Sequence, residues 1–358
     1  MKRSFVLGML IAIGALSIAV AAVQDAGRQG GRGRGGRGAQ PEGLLAADAG
    51  QWREGRTTRL VKLRDNVYRI NNTGSNLTAF VTDAGVVIVE SGYPGWTSDV
   101  LAKIKSVTDK PLTMVINTHA HGDHASMNPE LGKLAGNVVE FVAHEYAAKM
   151  MGQDDCSTLS GAGASACNAF KGENRKYLPG KTVKDKLSLK HGNLPIELAY
   201  YGPAHTNGDI VVTFPTLRMA HVGDLFAWPG VPRLFVEDGG STIQFGETLR
   251  KAQAGTTNVD TIITGHSQVK TFQDWVDQRL FVDEYVGQVL AAHKAGKTVE
   301  EAVAGFKYSA KWSVCPPTDT FASQYPEDHE KFHTQCTYRT DQTLTDTKYA
   351  YGELDKKK

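Results

Sequence analysis

At 358 residues the chain is long for one average domain and short for two, so one large domain with extensions is expected. With 41% apolar and 22% charged residues it is not collagenous, coiled-coil, wholly disordered or polytopic in a membrane. Forty Lys+Arg against 38 Asp+Glu give +2, which provides no global field for nucleic acid or anionic lipid. Four arginines (Arg28, Arg32, Arg34, Arg37) fall within residues 27–38, and removing them from +2 leaves −2 for the rest.

Taken in chain order, Lys2 and Arg3 precede an uncharged apolar run, Phe5 to Ala22. Small residues at Ala19 to Ala22 then offer a cleavage point, so residues 1–22 read as a signal peptide and the mature chain as periplasmic or secreted. An uncleaved anchor is the alternative, since about 20 apolar residues span a bilayer. Residues 23–50 are a Gly/Arg-rich spacer; glycine at that density has a high ordering entropy and nothing to bury. Without interleaved aromatics its RGG-like repeats do not predict RNA binding. All four cysteines lie beyond the signal. An even count in an oxidising compartment predicts Cys156–Cys167 and Cys315–Cys336, with four buried free thiols as the alternative.

Residues 51–297 carry the catalytic-domain pattern, and residues 298–358 read as a polar C-terminal extension. Val67 to Ile70, Leu77 to Val81 and Val86 to Val89 are predicted strands of a meander. Ser98 to Val107 has helical spacing with Ser98 as cap. Leu112 to Ile116 is a buried strand; Ile210 to Phe214, Arg218 to Val222 and Thr261 to Thr264 are later ones, and Phe281 to Lys294 is an amphipathic helix. The alternation predicts an α/β (α+β) architecture.

Chemistry is concentrated where the buried strand ends, at His119-Ala120-His121-Gly122-Asp123-His124. Three histidines and an aspartate within six residues place several metal-ligand types in one turn. Residues two apart on an extended segment share a side, so His119 and His121 can face one metal, while Gly122 lets Asp123 and His124 aim elsewhere. His205 in a turn before a strand, Asp224 at the end of the next, and His266 after the following one extend the pattern. The segment His329 to His333 matches H-E-x-x-H, with Glu353 downstream, but crowded charge and missing apolar flanks count against a zinc helix there.

In these positions and their order, Thr57 to Ala295 resembles the metallo-β-lactamase superfamily. The resemblance implies a four-layer αββα sandwich holding two Zn²⁺ per chain, although ligand type leaves Mn or Fe open. It implies His119, His121 and His205 around one zinc, Asp123, His124 and His266 around the other, and Asp224 between them. A metal-bridging hydroxide would attack a carbonyl or phosphoryl group, with Asp123 orienting it. The chain departs from family patterns at three places. Glu90 stands before Gly92 where many relatives have Asp, Asp224 replaces the Cys of one class of zinc β-lactamases, and Ala227 is neither Lys nor Tyr. The expected activity is therefore hydrolysis of a small ester, thioester, lactone or lactam. The alternatives are β-lactamase activity proper or a non-catalytic metal-binding or redox-accessory protein. Trp228 and Arg233, on the aromatic loop after Asp224, are the candidate substrate-binding residues. A small molecule is the expected partner, with neither nucleic acid nor a stable membrane partner after cleavage.

Overall fold

The computed structural model describes residues 57–314 and 337–356. The signal peptide, the Gly/Arg-rich spacer, the Cys315–Cys336 pair and the H-E-x-x-H segment lie outside them. Antiparallel strands β1 (Arg59–Arg64), β2 (Val67–Asn71), β3 (Leu77–Thr82) and β4 (Gly85–Val89) form the expected meander. Helix α1 (Thr97–Lys105) then carries the chain to β5 (Leu112–Ile116), parallel to β4. Helices α2 (Gly122–Ala125) and α3 (Asn128–Leu134) lead to β6 (Glu140–His144), and α4 (Glu145–Gly152) and α5 (Gly161–Ala169) to β7 (Lys181–Val183). Those last strands continue the parallel half, completing a seven-stranded sheet in sequence order.

The second sheet runs β8 (Lys186–His191), β9 (Leu194–Tyr200), β10 (Ile210–Phe214), β11 (Met219–Gly223), then β12 (Thr261–Thr264) and β13 (Lys270–Thr271). Only β11 and β12 are parallel, joined through α6 (Thr242–Gly255). Helices α7 (Phe272–Lys294), α8 (Val299–Gly305) and α9 (Thr343–Asp355) follow.

Side-chain alternation builds the layers. Val87 and Val89 join Ile210, Val212 and Phe214 in a cluster between the sheets, where Phe80 stacks on Phe214 with centroids 3.8 Å apart. Val86 and Ile88 point to the opposite face, against Val100 and Ile104 of α1 and Leu131 of α3. On the far side of the second sheet, Val211 and Ile262 pack on Phe245, Trp275, Phe281 and Tyr285 of α6 and α7. Two mixed sheets face to face with helices outside make the αββα sandwich. The segments after Thr298, polar in composition, also pack there: Trp312 and Ala350 are buried in that last cluster, with Tyr338 and Tyr351 against it.

Some element boundaries differ from the sequence reading. No side chain caps α1, which begins at Thr97 rather than Ser98, and Thr97 Oγ donates to Glu130 Oε2 at 2.6 Å. Helix α7 begins nine residues before Phe281, at a capping box in which Thr271 and Asp274 exchange bonds. Arg218 lies at φ 52°, outside β-space, so β11 starts at Met219.

Candidate metal centre

Parallel strands gather chemistry at their carboxyl ends, because the loops leaving them converge. Here β4 ends in Glu90, β5 in the histidine turn, β11 in Asp224 and β12 in His266. His205 precedes β10, which runs antiparallel to β11, so it reaches the same edge. Backbone bonds join the two sheets at this edge: Ile210 N donates to Thr118 O (2.9 Å) and Asn76 N to Gly265 O (2.8 Å). Gly223, at φ 50°, turns the chain into Asp224, and a Cβ there would lie 2.2 Å from Thr118 Oγ. A Cβ on Gly265 would lie 1.8 Å from Asp224 Oδ1, so glycine is what lets that carboxylate in.

The seven candidate ligands come together in two groups. His119, His121 and His205 form one and Asp123, His124 and His266 the other, each with its ligand atoms within 4.8 Å of one another. His121 Nδ1 is 3.1 Å from His119 Nε2 and 2.9 Å from His205 Nε2. His266 Nε2 is 3.3 Å from both Asp123 Oδ2 and His124 Nε2. Asp224 lies between the groups: its Oδ2 is 3.3 Å from His205 and from His266, its Oδ1 3.5 Å from His124. The four innermost rings are buried, whereas the side chains of His266 and Asp123 are 10% and 19% exposed. The open side of the site therefore lies at Asp123 and His266.

Charge in the cluster suits a divalent cation. Burial and the neighbouring rings push His119 well below the ordinary imidazole value, and burial takes His205 down to about 3, so both offer neutral lone pairs. Burial alone would raise Asp123 and Asp224, yet His124 and His266 hold both below the usual carboxylate range. Burial likewise disfavours a charged His124, but Asp123, Glu90 and Asp224 raise it well above 6.5. Asp224 Oδ1 is buried without a hydrogen-bond partner among the described residues. The neutral rings of His119 and His205, the ionised Asp123 and Asp224 and an orphaned oxygen aimed inward form a donor set that fits borderline divalent metals.

Two carboxylates stand behind the ligands. Glu90, buried at φ 69°, accepts from Thr118 N (3.2 Å) and Thr118 Oγ and lies 3.1 Å from His124 Nδ1. Thr118 Oγ in turn meets His119 Nδ1 at 3.1 Å, so Glu90 orients the His119 ring through Thr118 and lies beside His124. Asp238, which the sequence reading missed, accepts from His121 Nε2 at 2.8 Å. It is held by Ser160, through N at 3.0 Å and through Oγ. Its only sequence signal is an Asp-Gly-Gly turn after the aromatic loop.

Trp228 lies with its ring centroid 5.4 Å from that of His266, beside the open side. Arg233 orients His205 through its backbone carbonyl, which accepts from Nδ1, and its guanidinium lies 5.3 Å over Phe235. Phe235 meets His121 edge-on at 4.7 Å. Other histidines are used structurally: His191 bonds Thr82 and Thr113, His221 the Asn76 carbonyl, and His144 stacks on Tyr200. Glu353 is occupied at the start of α6, accepting from Thr242 N at 2.8 Å and from Ser241 Oγ.

A sequence profile of the metallo-β-lactamase superfamily matches residues 71–266, which contain all seven candidate ligands. The alpha subunit of 2,4-dinitroanisole O-demethylase from Nocardioides sp. (strain JS1661) is 25% identical over 176 residues. That alignment covers 49% of this chain and 47% of the relative, so the chain spans about half of that protein's length. A probable metallo-hydrolase of Streptococcus pyogenes serotype M6 is 26% identical over 213 residues, covering 59% of this chain and 78% of its own. Among solved structures, a metallo-β-lactamase from Pontibacter korlensis has the same fold, with a TM-score of 0.51 at 16% identity over 63% of this chain and 99% of its own. With more than half of the sequence matched and the sandwich repeated, the chain belongs to the metallo-β-lactamase superfamily.

Proposed function

We propose that the protein is an exported, two-zinc hydrolase of a small ester, thioester, lactone or lactam. The observation that carries this reading is Asp224 Oδ2, equidistant at 3.3 Å from a histidine of each ligand group. Two zinc ions held by these groups would supply Lewis acidity, polarising the scissile carbonyl and bringing the pKa of coordinated water toward neutrality. Asp123, kept ionised and the most exposed of the seven, accepts a hydrogen bond from the attacking water and aligns it. Asp238 holds the proton on His121 Nε2, which fixes the tautomer that presents Nδ1 inward, and Glu90 lies 3.1 Å from His124 Nδ1. Trp228, beside His266, would form an apolar wall for the substrate, and Arg233, whose guanidinium lies over Phe235, would bind a substrate carboxylate.

Asp224 and Ala227 favour esters and thioesters over β-lactams. Export is supported by the Lys2–Ala22 pattern and by the Cys156–Cys167 disulfide. Among the described residues no helix is long and apolar enough to cross a membrane. The test is a panel of 4-nitrophenyl esters, thioesters, lactones, nitrocefin and an aryl methyl ether. Native protein should cleave an ester or thioester fastest, and Asp123→Ala should lower kcat by at least about 100-fold. Activity surviving in Asp123→Ala would sink the mechanism. An unchanged KM in Trp228→Ala would remove the pocket assignment alone.

A further inference from the structure

The pocket wall is fastened by a part of the chain far outside the matched family region. The loop leaving Asp224 is gripped at Pro229–Val231 by Arg339. Its N donates to Pro229 O (3.1 Å), and its O accepts from Val231 N (2.8 Å). Gly230 and Arg339 pair as a parallel bridge, and a Cβ on Gly230 would fall 2.3 Å from Arg339 O. From the other side, Gln278 of α7 bonds Gly230 through both its amide atoms, at 2.9 and 2.8 Å. Tyr338 anchors the strap by stacking on Phe281, centroids 4.8 Å apart.

The Arg339 side chain does something further. It is only 7% exposed, its guanidinium lies 4.5 Å over the Trp228 ring, and it pairs with Asp341 through Nε at 3.2 Å and through a second nitrogen. The same indole lies tilted by 50° to the His266 ring, centroids 5.4 Å apart. A buried cation on an indole face is worth more than an exposed one, and Asp341 offsets much of the cost of burying it. Contact therefore runs from Arg339 through Trp228 to His266, from C-terminal strap to ligand group.

We propose that Arg339 is a positioning residue that sets substrate selectivity by holding the Trp228 indole against His266, where the apolar side group of the substrate packs. The main-chain grip does not depend on the side chain, so the two contributions separate. Only the kinetic half of the test rests on the hydrolytic reading.

The experiment uses the full-length metal-loaded protein labelled with 5-fluorotryptophan, whose five tryptophans give five ¹⁹F resonances, with Trp228 assigned by its loss in Trp228→Phe. Arg339→Met should shift or broaden the Trp228 line, and Arg339→Lys, which keeps a cation, should restore it in part. With 4-nitrophenyl butyrate as probe, Arg339→Met should raise KM about fivefold while kcat stays within about twofold. Should Arg339→Met fail to fold, Asp341→Asn loosens the guanidinium instead and should shift the same line. A Trp228 line unmoved in the folded variants overturns the proposal, as does a joint fall in kcat and metal content. Native protein that cleaves no ester would defeat the hydrolytic reading, while the ¹⁹F spectrum still decides the placing of Trp228.

Discussion

His121 Nε2 and the Asp238 carboxylate are 117 positions apart in sequence and 2.8 Å apart in space. A carboxylate behind an imidazole fixes the ring, selects its tautomer and raises its basicity toward a metal. Asp238→Ala should therefore weaken metal binding at the His119–His121–His205 group by about 10- to 100-fold, measured by competition with a chelator. Undiminished affinity would mean that Asp238 serves only to hold Ser160 at the start of α5. Asp209 gives a prediction with a pH sign. Burial pushes its carboxyl up to about 7, against an ordinary value of 3.8, although Thr206 N and Oγ both donate to it at 2.8 Å. The unfolded chain releases this proton near pH 4 and the folded chain near 7, so the stability contributed by Asp209 falls as pH rises through that window. Asp209→Asn should thus gain on the native protein between pH 5 and pH 8 by an amount on the order of 1 kcal/mol or more in urea unfolding of the metal-free protein. A difference that stays constant or moves the other way contradicts the assignment.

Among the elements, α5 links chemistry to architecture. Ser160 caps it, accepting from Gly163 N at 3.1 Å, and the same residue holds Asp238. A Cβ on Gly122, in the histidine turn, would lie 2.4 Å from Ser165 Oγ of this helix. The Cys156–Cys167 disulfide closes the loop that carries the cap. A loop of that length stabilises by about 3 kcal/mol through the unfolded state, so Cys156→Ser with Cys167→Ser should lower the urea midpoint accordingly and weaken metal binding alongside. A shifted midpoint with unchanged metal affinity would separate α5 from the centre. At this scale the sequence was partly legible. Strands with uninterrupted β-branched runs, such as Val86 to Val89 and Ile210 to Phe214, announce themselves because both faces are buried. Strands β8 and β9 do not, since they alternate and carry charge at the exposed rim. The early start of α7 was readable from Thr271 and Asp274, whereas α1 starts without a side-chain cap to mark it.

Across the whole molecule, the ligand set was legible because its core is local. Four of the seven lie within six residues, and the other three follow strand ends. What orients them was not legible, because Glu90, Asp238 and the Arg233 carbonyl meet their histidines only through the fold. The C-terminal residues were misleading for a different reason. Their composition is polar, but sparse aromatics, Trp312 and Tyr338 among them, settle on Phe281 and close the helical layer over the second sheet. This sandwich assembles two groups of metal-ligand residues with Asp224 between them, and the proposed two-zinc centre needs both. The most direct measurement is the zinc content of purified native protein and of Asp224→Ala, by mass spectrometry after removal of loosely bound ions. Two ions per chain are expected in the native protein and about half of that in the variant. One tightly held ion in the native protein, or two in Asp224→Ala, would contradict the proposed centre.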